Sequence, residues 1–185
     1  MITVGIPTRN EEKTIAKCVN VLLRQLSRND EVIVVSDGST DNTVMEVKKI
    51  MQQDRRVRII TVPKRKGKAN GLNLIIKNAR GNIIVQTDGD VIASENSVKN
   101  LLRHFSGNGI GAVSGHPIPV IPKNNLFYDW TIMSYRKAHE LRISQSKNGT
   151  LWHISGYLLA FRKEALQKMP NAKNNRPIKA SSGIK

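Results

Sequence analysis

The sequence predicts an α/β fold with a mostly parallel sheet flanked by helices. Short apolar runs recur along the first half of the chain, and each is followed by a segment whose apolar residues recur at helical spacing. The predicted strands cover residues 2–6, 32–35, 57–62 and 83–87, and the predicted helices cover residues 14–26, 41–53, 69–79 and 98–105. Four strand–helix pairs in succession indicate parallel strands joined by right-handed crossovers.

Local composition justifies the individual elements. Val32-Ile33-Val34-Val35 is a continuous β-branched run, which is typical of a strand covered on both faces. The helix at 14–26 has its apolar residues three and four positions apart, so it presents one apolar side. For the helix at 41–53 we predict Thr40 or Asp41 as the N-cap, because either side chain can accept a hydrogen bond from the first turn.

The second half of the chain is less regular. We predict strands at 111–115 and 157–161 and helices at 127–141 and 163–168, whereas residues 116–123 contain three prolines and are expected to be irregular. Residues 1–169 are predicted to form one domain. Residues 170–185 are polar and basic with no acidic residue, and we predict a disordered basic tail there.

Clusters of polar residues follow the first four predicted strands. Residues 7–12, 36–41, 64–68 and 88–90 come directly after them in chain order. In an open parallel sheet, ligands bind beyond the carboxyl ends of the strands, so all four clusters are expected at one edge. Each cluster could be ordinary loop chemistry, but together they offer carboxylates for a metal and cations for phosphate.

Asp88 and Asp90 are the strongest candidates for chemistry. They flank Gly89 just beyond the fourth predicted strand, where a glycine allows a close approach of the backbone. Mg²⁺ and Mn²⁺ prefer oxygen ligands, and Mg²⁺ commonly binds through one or two carboxylates together with substrate phosphates. Asp-Gly pairs also form plain turns, so the interpretation depends on the neighbouring clusters.

Charge narrows the classes of partner. The net charge is +16, from 30 basic and 14 acidic residues, which fits nucleic acid, an anionic membrane surface or a polyphosphate substrate. Aromatic residues make up 4% of the chain and none lies within the basic clusters, so the stacking surface of a single-strand binder is not expected. We therefore expect no nucleic acid partner and rank a basic nucleic-acid-binding protein last.

The compartment is predicted from cysteine content and hydropathy. Cys18 is the single cysteine, which excludes an internal disulfide and suits a reducing compartment. No apolar run approaches the length of a membrane span. We expect a cytoplasmic protein whose basic charge allows it to dock on the anionic inner face of a membrane.

Five segments together resemble the family-2 glycosyltransferases of the GT-A fold, the Rossmann-like fold of nucleotide-diphospho-sugar transferases. They are residues 4–12 (VGIPTRNEE), 34–43 (VVSDGSTDNT), 66–73 (KGKANGLN), 87–90 (TDGD) and 155–166 (SGYLLAFRKEAL). The resemblance extends over about residues 1–169, and the motifs occur in the order and spacing of that family. It implies an inverting glycosyltransferase of polysaccharide or glycan biosynthesis that transfers a sugar from a nucleotide-sugar, most often a UDP-sugar.

The resemblance also implies roles for individual residues. The nucleotide-sugar pocket would be lined by Pro7, Arg9, Glu11, Asp37, Lys68 and Asp88. Asp37 would hydrogen-bond the base, although a turn-forming aspartate is the competing interpretation. Asp90, with Asp88, would bind Mg²⁺ or Mn²⁺, and His153, Ser155 and Gly156 would lie on the side of a saccharide or lipid-linked acceptor.

One part of the family pattern is missing. Inverting members use an acidic residue downstream of the segment that matches residues 155–166 to deprotonate the acceptor hydroxyl. This chain has no acidic residue after Glu164, and Asp129 and Glu140 precede that segment. We expect either the amino-terminal piece of a longer enzyme, incomplete at its C-terminus, or an inactive nucleotide-sugar-binding module. No catalytic base is assigned.

Overall fold

A six-stranded sheet forms the centre of the protein. The computed structural model describes residues 1–107, 109–149 and 154–167. The strands are β1 (Ile2–Thr8), β2 (Glu31–Asp37), β3 (Val57–Val62), β4 (Ile83–Thr87), β5 (Ala112–Ser114) and β6 (Leu158–Arg162). Their spatial order is β3-β2-β1-β4-β6-β5. Strands β1 to β4 pair in parallel and β6 is antiparallel to both of its neighbours, so the predicted mostly parallel α/β sheet is confirmed.

Helices flank the sheet and connect its strands. They are α1 (Ile15–Leu23), α2 (Thr43–Gln53), α3 (Lys68–Asn78), α4 (Ser97–Leu102), α5 (Tyr128–Lys147) and α6 (Lys163–Gln167), with a 3₁₀ turn at Arg103–Ser106. Side chains alternate along a strand, and in β2 Val32 and Val34 belong to one apolar cluster while Ile33 and Val35 belong to the other. Both faces of β2 are therefore covered, as its β-branched run predicted.

Several predicted boundaries differ from the structure. The first strand continues to Thr8 and so brings Pro7 and Thr8 to the edge of the sheet. The predicted helix at 98–105 is a short α4 that ends in the 3₁₀ turn, and the predicted helix at 127–141 extends to Lys147. No strand or helix occurs at residues 116–123, as predicted from the prolines.

The predicted N-cap of α2 is wrong by one or two residues. Asn42 occupies the cap position and forms no side-chain cap hydrogen bond. Asp41 instead accepts hydrogen bonds from the backbone N–H and the hydroxyl of Thr43, so its carboxylate closes a turn immediately before the helix.

The later part of the chain packs less deeply. Helix α5 contains no buried residue, whereas β6 contributes Ala160 and Phe161 to the core. Within the described ranges, no helix is both long and apolar enough to cross a bilayer. The predicted tail at 170–185, and residue 168 of the last predicted helix, lie outside the described residues.

Candidate functional site

A polar cleft of about 250 Å³ lies at the carboxyl ends of β1, β2 and β4. The chain runs outward from β1 through β2 to β3 and then returns to the other side of β1 with β4, so the strand order reverses at this point. Such a reversal is where open α/β sheets bind ligands. Seven predicted residues line this one cleft: Pro7, Arg9, Glu11, Asp37, Lys68, Asp88 and Asp90.

Asp37 organises the basic loop that follows β3. Its carboxylate is buried and accepts hydrogen bonds from the backbone N–H groups of Lys66, at 2.8 Å, and Gly67, at 2.6 Å. Gly67 is the residue immediately before α3 and has a φ of 92°. This backbone conformation favours glycine. The loop is thereby held over the cleft, and each carboxylate oxygen keeps a second lone pair for a ligand.

Lys68 and Asp88 form an ion pair across the cleft. Lys68 Nζ lies 2.6 Å from Oδ1 and 2.8 Å from Oδ2 of Asp88. The contact with Oδ2 has hydrogen-bond geometry, and Oδ1, which is buried, meets the same ammonium as an ion pair. The Asp88 carboxylate therefore binds a cation in the protein by itself, and a carboxylate of this kind suits a divalent cation.

The turn after β4 packs tightly against the end of β1. A Cβ added at Gly89 would lie 2.7 Å from Thr8 Oγ1 and 3.3 Å from Glu11 Cγ, so a side chain cannot enter without displacing them. Thr8 Oγ1 is itself buried without a hydrogen-bond partner and lines the cleft. Gly89 therefore allows a close approach to the protein's own β1, and the predicted approach of this turn to a ligand stays a prediction.

Cys18 of α1 lies beneath this turn. Its thiol is 3.5 Å from the carbonyl oxygen of Asp88. Burial, reinforced by the charges of Asp90, Asp88 and Glu11, raises the pKa of the Cys18 thiol to about 12. The side chain therefore remains a neutral thiol at physiological pH, as expected for a core cysteine.

The loops after β1 and β2 are joined by hydrogen bonds. The carboxamide oxygen of Asn10, a residue with a φ of 56°, accepts the N–H of Thr40 at 2.9 Å. The N–H of Glu11 donates to Thr43 Oγ1 at 2.7 Å, and the N–H of Glu12 donates to Asp41 at 3.1 Å. Arg9 and Glu11 thus belong to a cleft wall whose backbone is fixed from two sides.

The predicted acceptor-side segment lies beside the end of β4. Gln86 Nε2 donates to the carbonyl oxygen of Gly156 at 3.4 Å, and Thr87 Oγ1 donates to that of Tyr157 at 2.7 Å. Ser155 is buried, and its hydroxyl has no hydrogen-bond partner among the residues that the structure describes. A Cβ at Gly156 would meet open space, so the protein itself does not require glycine there. His153 lies outside the described residues.

Sequence reasoning did not assign ligand contact to two side chains of the cleft wall, nor to the lining residues Gly67 and Gly71. Thr8 and Arg65 line it beside the predicted set. Thr8 is an uncharged strand residue whose exposure to the cleft depends on how far β1 extends. Arg65 was recognised as part of a basic cluster, and a cluster does not indicate which of its cations points inward.

A second cleft of about 290 Å³ lies among the C-terminal ends of α1 and α2. Its main charged groups are already paired with each other. Arg56 forms a salt bridge of 2.7 Å with Asp54 and donates to the carbonyl oxygen of Leu26 at 2.9 Å. We therefore assign the candidate site to the cleft at the carboxyl edge.

A divalent cation fits the carboxyl-edge cleft when a phosphate ligand is present. Among the described residues, no cluster of three or more histidine, cysteine, aspartate or glutamate side chains could hold a metal ion by itself. Asp88 and Asp90 nevertheless line the same cleft, and both carboxylate oxygens of Asp88 already lie beside a cation, the Lys68 ammonium. Two carboxylates completed by substrate phosphates are a common arrangement for Mg²⁺.

Known proteins resemble this chain over most of its length. Two relatives are glycosyltransferase GlyG of Streptococcus pneumoniae, 31% identical over 148 residues, and poly-beta-1,6-N-acetyl-D-glucosamine synthase of Staphylococcus aureus, 28% identical over 167 residues. These matches cover 80% and 89% of this chain but 49% and 40% of the relatives. The chain thus spans less than half the length of each.

A solved structure and a family model complete the comparison. The mannosyltransferase PcManGT of Pyrobaculum calidifontis, determined with GDP-Man and Mn²⁺, superposes with a TM-score of 0.70 at 28% identity, over 90% of this chain and 45% of that one. The likeness confirms the GT-A fold. The model of glycosyl transferase family 2 matches residues 3–169. With its fold, its cleft and its sequence in agreement, the chain belongs to glycosyl transferase family 2.

Proposed function

We propose that this domain binds a nucleotide-sugar, a UDP-sugar in the first instance, together with Mn²⁺ or Mg²⁺, and transfers the sugar to an acceptor hydroxyl with inversion. The observation that carries the proposal is the convergence of all seven predicted donor-site residues on one cleft where the strand order reverses. The relatives named as a glycosyltransferase and a polysaccharide synthase, and a structural neighbour that holds GDP-Man and Mn²⁺, support it.

The proposed role of each cleft residue follows from the chemistry of its side chain. Pro7, Arg9 and Glu11 form the wall beside the nucleotide, and Asp37 accepts a hydrogen bond from the base while its other lone pairs hold the basic loop. Asp90 is the main protein ligand of the cation, with Asp88 beside it. The bound cation supplies neutralisation of the diphosphate charge that develops as the nucleotide leaves.

Lys68 has two partners in this proposal. It pairs with Asp88 and begins α3, so its ammonium group and the helix N-terminus are both close to the cleft. A diphosphate would compete with Asp88 for the lysine, because both are anions that accept charge-assisted hydrogen bonds. Donor binding would then exchange the internal ion pair for contacts with phosphate and release Asp88 for the cation.

The acceptor is proposed to be a saccharide or a lipid-linked saccharide at an anionic membrane surface. Support comes from the net charge of +16 and from the tethering of Gly156 and Tyr157 to the end of β4, beside Asp88. Ser155, with its buried and unpartnered hydroxyl, offers a hydrogen-bonding group on that side.

A second candidate function is donor binding without transfer. Strand β6 runs antiparallel to β4, with Arg162 paired to Ile83 at the start of β4, so Glu164 lies at the edge opposite the cleft. Asp129 and Glu140 are exposed on α5. A function limited to donor binding needs only the cleft residues that the structure describes.

Calorimetry with UDP, GDP and their sugar conjugates, with and without Mn²⁺, tests donor binding. We expect Mn²⁺-assisted binding that Asp90→Asn weakens at least about tenfold, as for loss of a charged contact, whereas the matched change Asp129→Asn on α5 leaves it intact. Nucleotide binding that ignores both Mn²⁺ and Asp90→Asn would overturn the proposal. If donor binds as expected, sugar release and transfer assays then separate the enzyme from the binding module.

A further inference from the structure

Helix α5 carries a stripe of large apolar side chains on its solvent side. Phe127, Trp130, Met133 and Leu141 are 63%, 66%, 56% and 57% exposed. They recur at spacings of three and four along the helix, and Lys137, also exposed, fills the remaining position of the series. We call these five residues the outer stripe of α5.

The opposite side of α5 faces the protein with polar aromatic groups. The hydroxyl of Tyr135 lies 3.2 Å from that of Tyr157, and the ring of His139 stacks on His116 with 3.9 Å between centroids. With 100° between successive residues, Tyr135 and His139 project away from Met133 and Lys137. The apolar residues of α5 are therefore not gathered on the side that faces the protein, as they are in an ordinary surface helix. An exposed apolar surface of this kind marks a binding surface.

The composition of the stripe indicates what covers it. Lysine is depleted in the dry centre of protein–protein interfaces, yet Lys137 lies between Met133 and Leu141. At a bilayer interface, tryptophan, phenylalanine and leucine enter the acyl boundary, while a lysine stem lies among them and its ammonium reaches the phosphates. Residues 123–147 contain five lysines and arginines against two acidic residues, so the surrounding charge complements anionic headgroups.

We propose that the outer stripe of α5 docks the protein on an anionic lipid bilayer. The inner side of the same helix contacts Tyr157, whose carbonyl oxygen is bonded to Thr87 next to Asp88. Docking through the stripe would hold the acceptor side of the cleft beside the headgroups. That consequence rests on the proposed function, whereas the lipid contact itself does not.

Cosedimentation of the full chain with vesicles tests the docking surface. Phosphatidylcholine vesicles with and without phosphatidylglycerol are compared for the wild type, Trp130→Ser/Met133→Ser and Lys137→Glu. We expect strong binding to the anionic vesicles, lowered about tenfold by the apolar double variant and about fivefold by the charge reversal. Leu141→Ser provides an independent second variant with a loss of the same sign.

Matched controls come from α2, where Met45 is 52% exposed and Lys48 is exposed. Met45→Ser and Lys48→Glu should leave vesicle binding within about twofold, because a charge acts on the surface only within a Debye length. Equal losses in the controls would mean diffuse attraction and overturn the proposal. So would absence of binding by the wild type, or a dimer, seen by ultracentrifugation, that Trp130→Ser dissociates.

The same variants separate this proposal from the proposed function. Mn²⁺-assisted nucleotide binding, measured by calorimetry, should be unchanged in every stripe variant, because the stripe lies on the side of α5 away from Tyr157. Loss of vesicle binding with intact nucleotide binding supports the docking surface. Vesicle binding in a protein that fails to bind any nucleotide would overturn the proposed function and leave the docking surface standing.

Discussion

Strands β1 and β2 are buried along their whole length, whereas α5, a twenty-residue helix, buries none of its described side chains. The candidate cleft lies at the carboxyl ends of these two strands. Hydrogen bonds between the loops that follow them fix its walls. The second region reaches the end of β4 through Tyr157 and exposes the outer stripe. The difference teaches that the walls of the candidate cleft are fixed by a buried core, while the part of the fold around Tyr157 and α5 keeps a large exposed surface.

The largest expected difference between the two regions is in stability. Ile33 is 0% exposed in the centre of β2, and Ile33→Ala should lower the free energy of unfolding by about 2–5 kcal/mol. Leu141 is 57% exposed on α5, and Leu141→Ala should change it by less than about 0.5 kcal/mol. Urea denaturation followed by circular dichroism measures both. Similar losses would mean that α5 is covered in solution and would break the comparison.

A buried ionic network lies at the edge of the sheet opposite the cleft. Its contribution to stability can be measured by substituting Glu31. Glu31 is 4% exposed and accepts hydrogen bonds from Thr3 Oγ1, from the N–H of Arg80 and from Arg58. Burial opposes ionisation, but these bonds outweigh it and lower the pKa of Glu31. Glu31→Gln should therefore lower the free energy of unfolding by about 1–3 kcal/mol at neutral pH.

The pH dependence of that loss has a defined sign. The pKa of Glu31 is lower in the folded protein than in the unfolded chain, where it is about 4.3. The contribution of ionised Glu31 to the free energy of unfolding is therefore complete above about pH 4.3. It disappears as the pH falls through the folded pKa. Denaturation is repeated at successively lower pH. The difference in the free energy of unfolding between wild type and Glu31→Gln should become smaller as the pH falls. A constant difference would exclude the ionised network as its cause.

A smaller loss of stability is expected from a substitution at the glycine of the cleft, Gly89. Gly89→Ala places a Cβ 2.7 Å from Thr8 Oγ1, and moving that side chain should cost about 1 kcal/mol and weaken Mn²⁺-assisted nucleotide binding. Gly107→Ala is the matched control, since its Cβ meets open space and its φ is −107°. Thermal unfolding and calorimetry compare the two. Equal thermal stability and equal nucleotide binding in the two variants would show that the turn tolerates a side chain at position 89. The tight packing of this turn would then not be needed for stability or binding.

The sequence alone determined most of the elements and the order of the polar clusters. β-branched runs, helical spacing and polar clusters after strands are local signals, and they predicted β3 and β4 with their observed bounds. The seven residues that the family resemblance implied all line the observed cleft, and their roles stay predictions. The sequence could not determine how Asp37 is used, because its hydrogen bonds reach loop amides about thirty residues away. The pairing of Lys68 with Asp88, twenty positions apart, is equally nonlocal.

Only the tertiary structure decided the geometry of the acceptor side. The antiparallel insertion of β6 between β4 and β5 brings Gly156 and Tyr157 to the end of β4 and carries Glu164 to the far edge. The outward orientation of the α5 stripe also depends on which groups of the fold its other side meets. The periodicity of apolar residues indicates which residues can be buried. The partner and direction of each strand, and the face of a helix that is exposed, depend on contacts between distant segments. Those contacts exist only once the chain has folded.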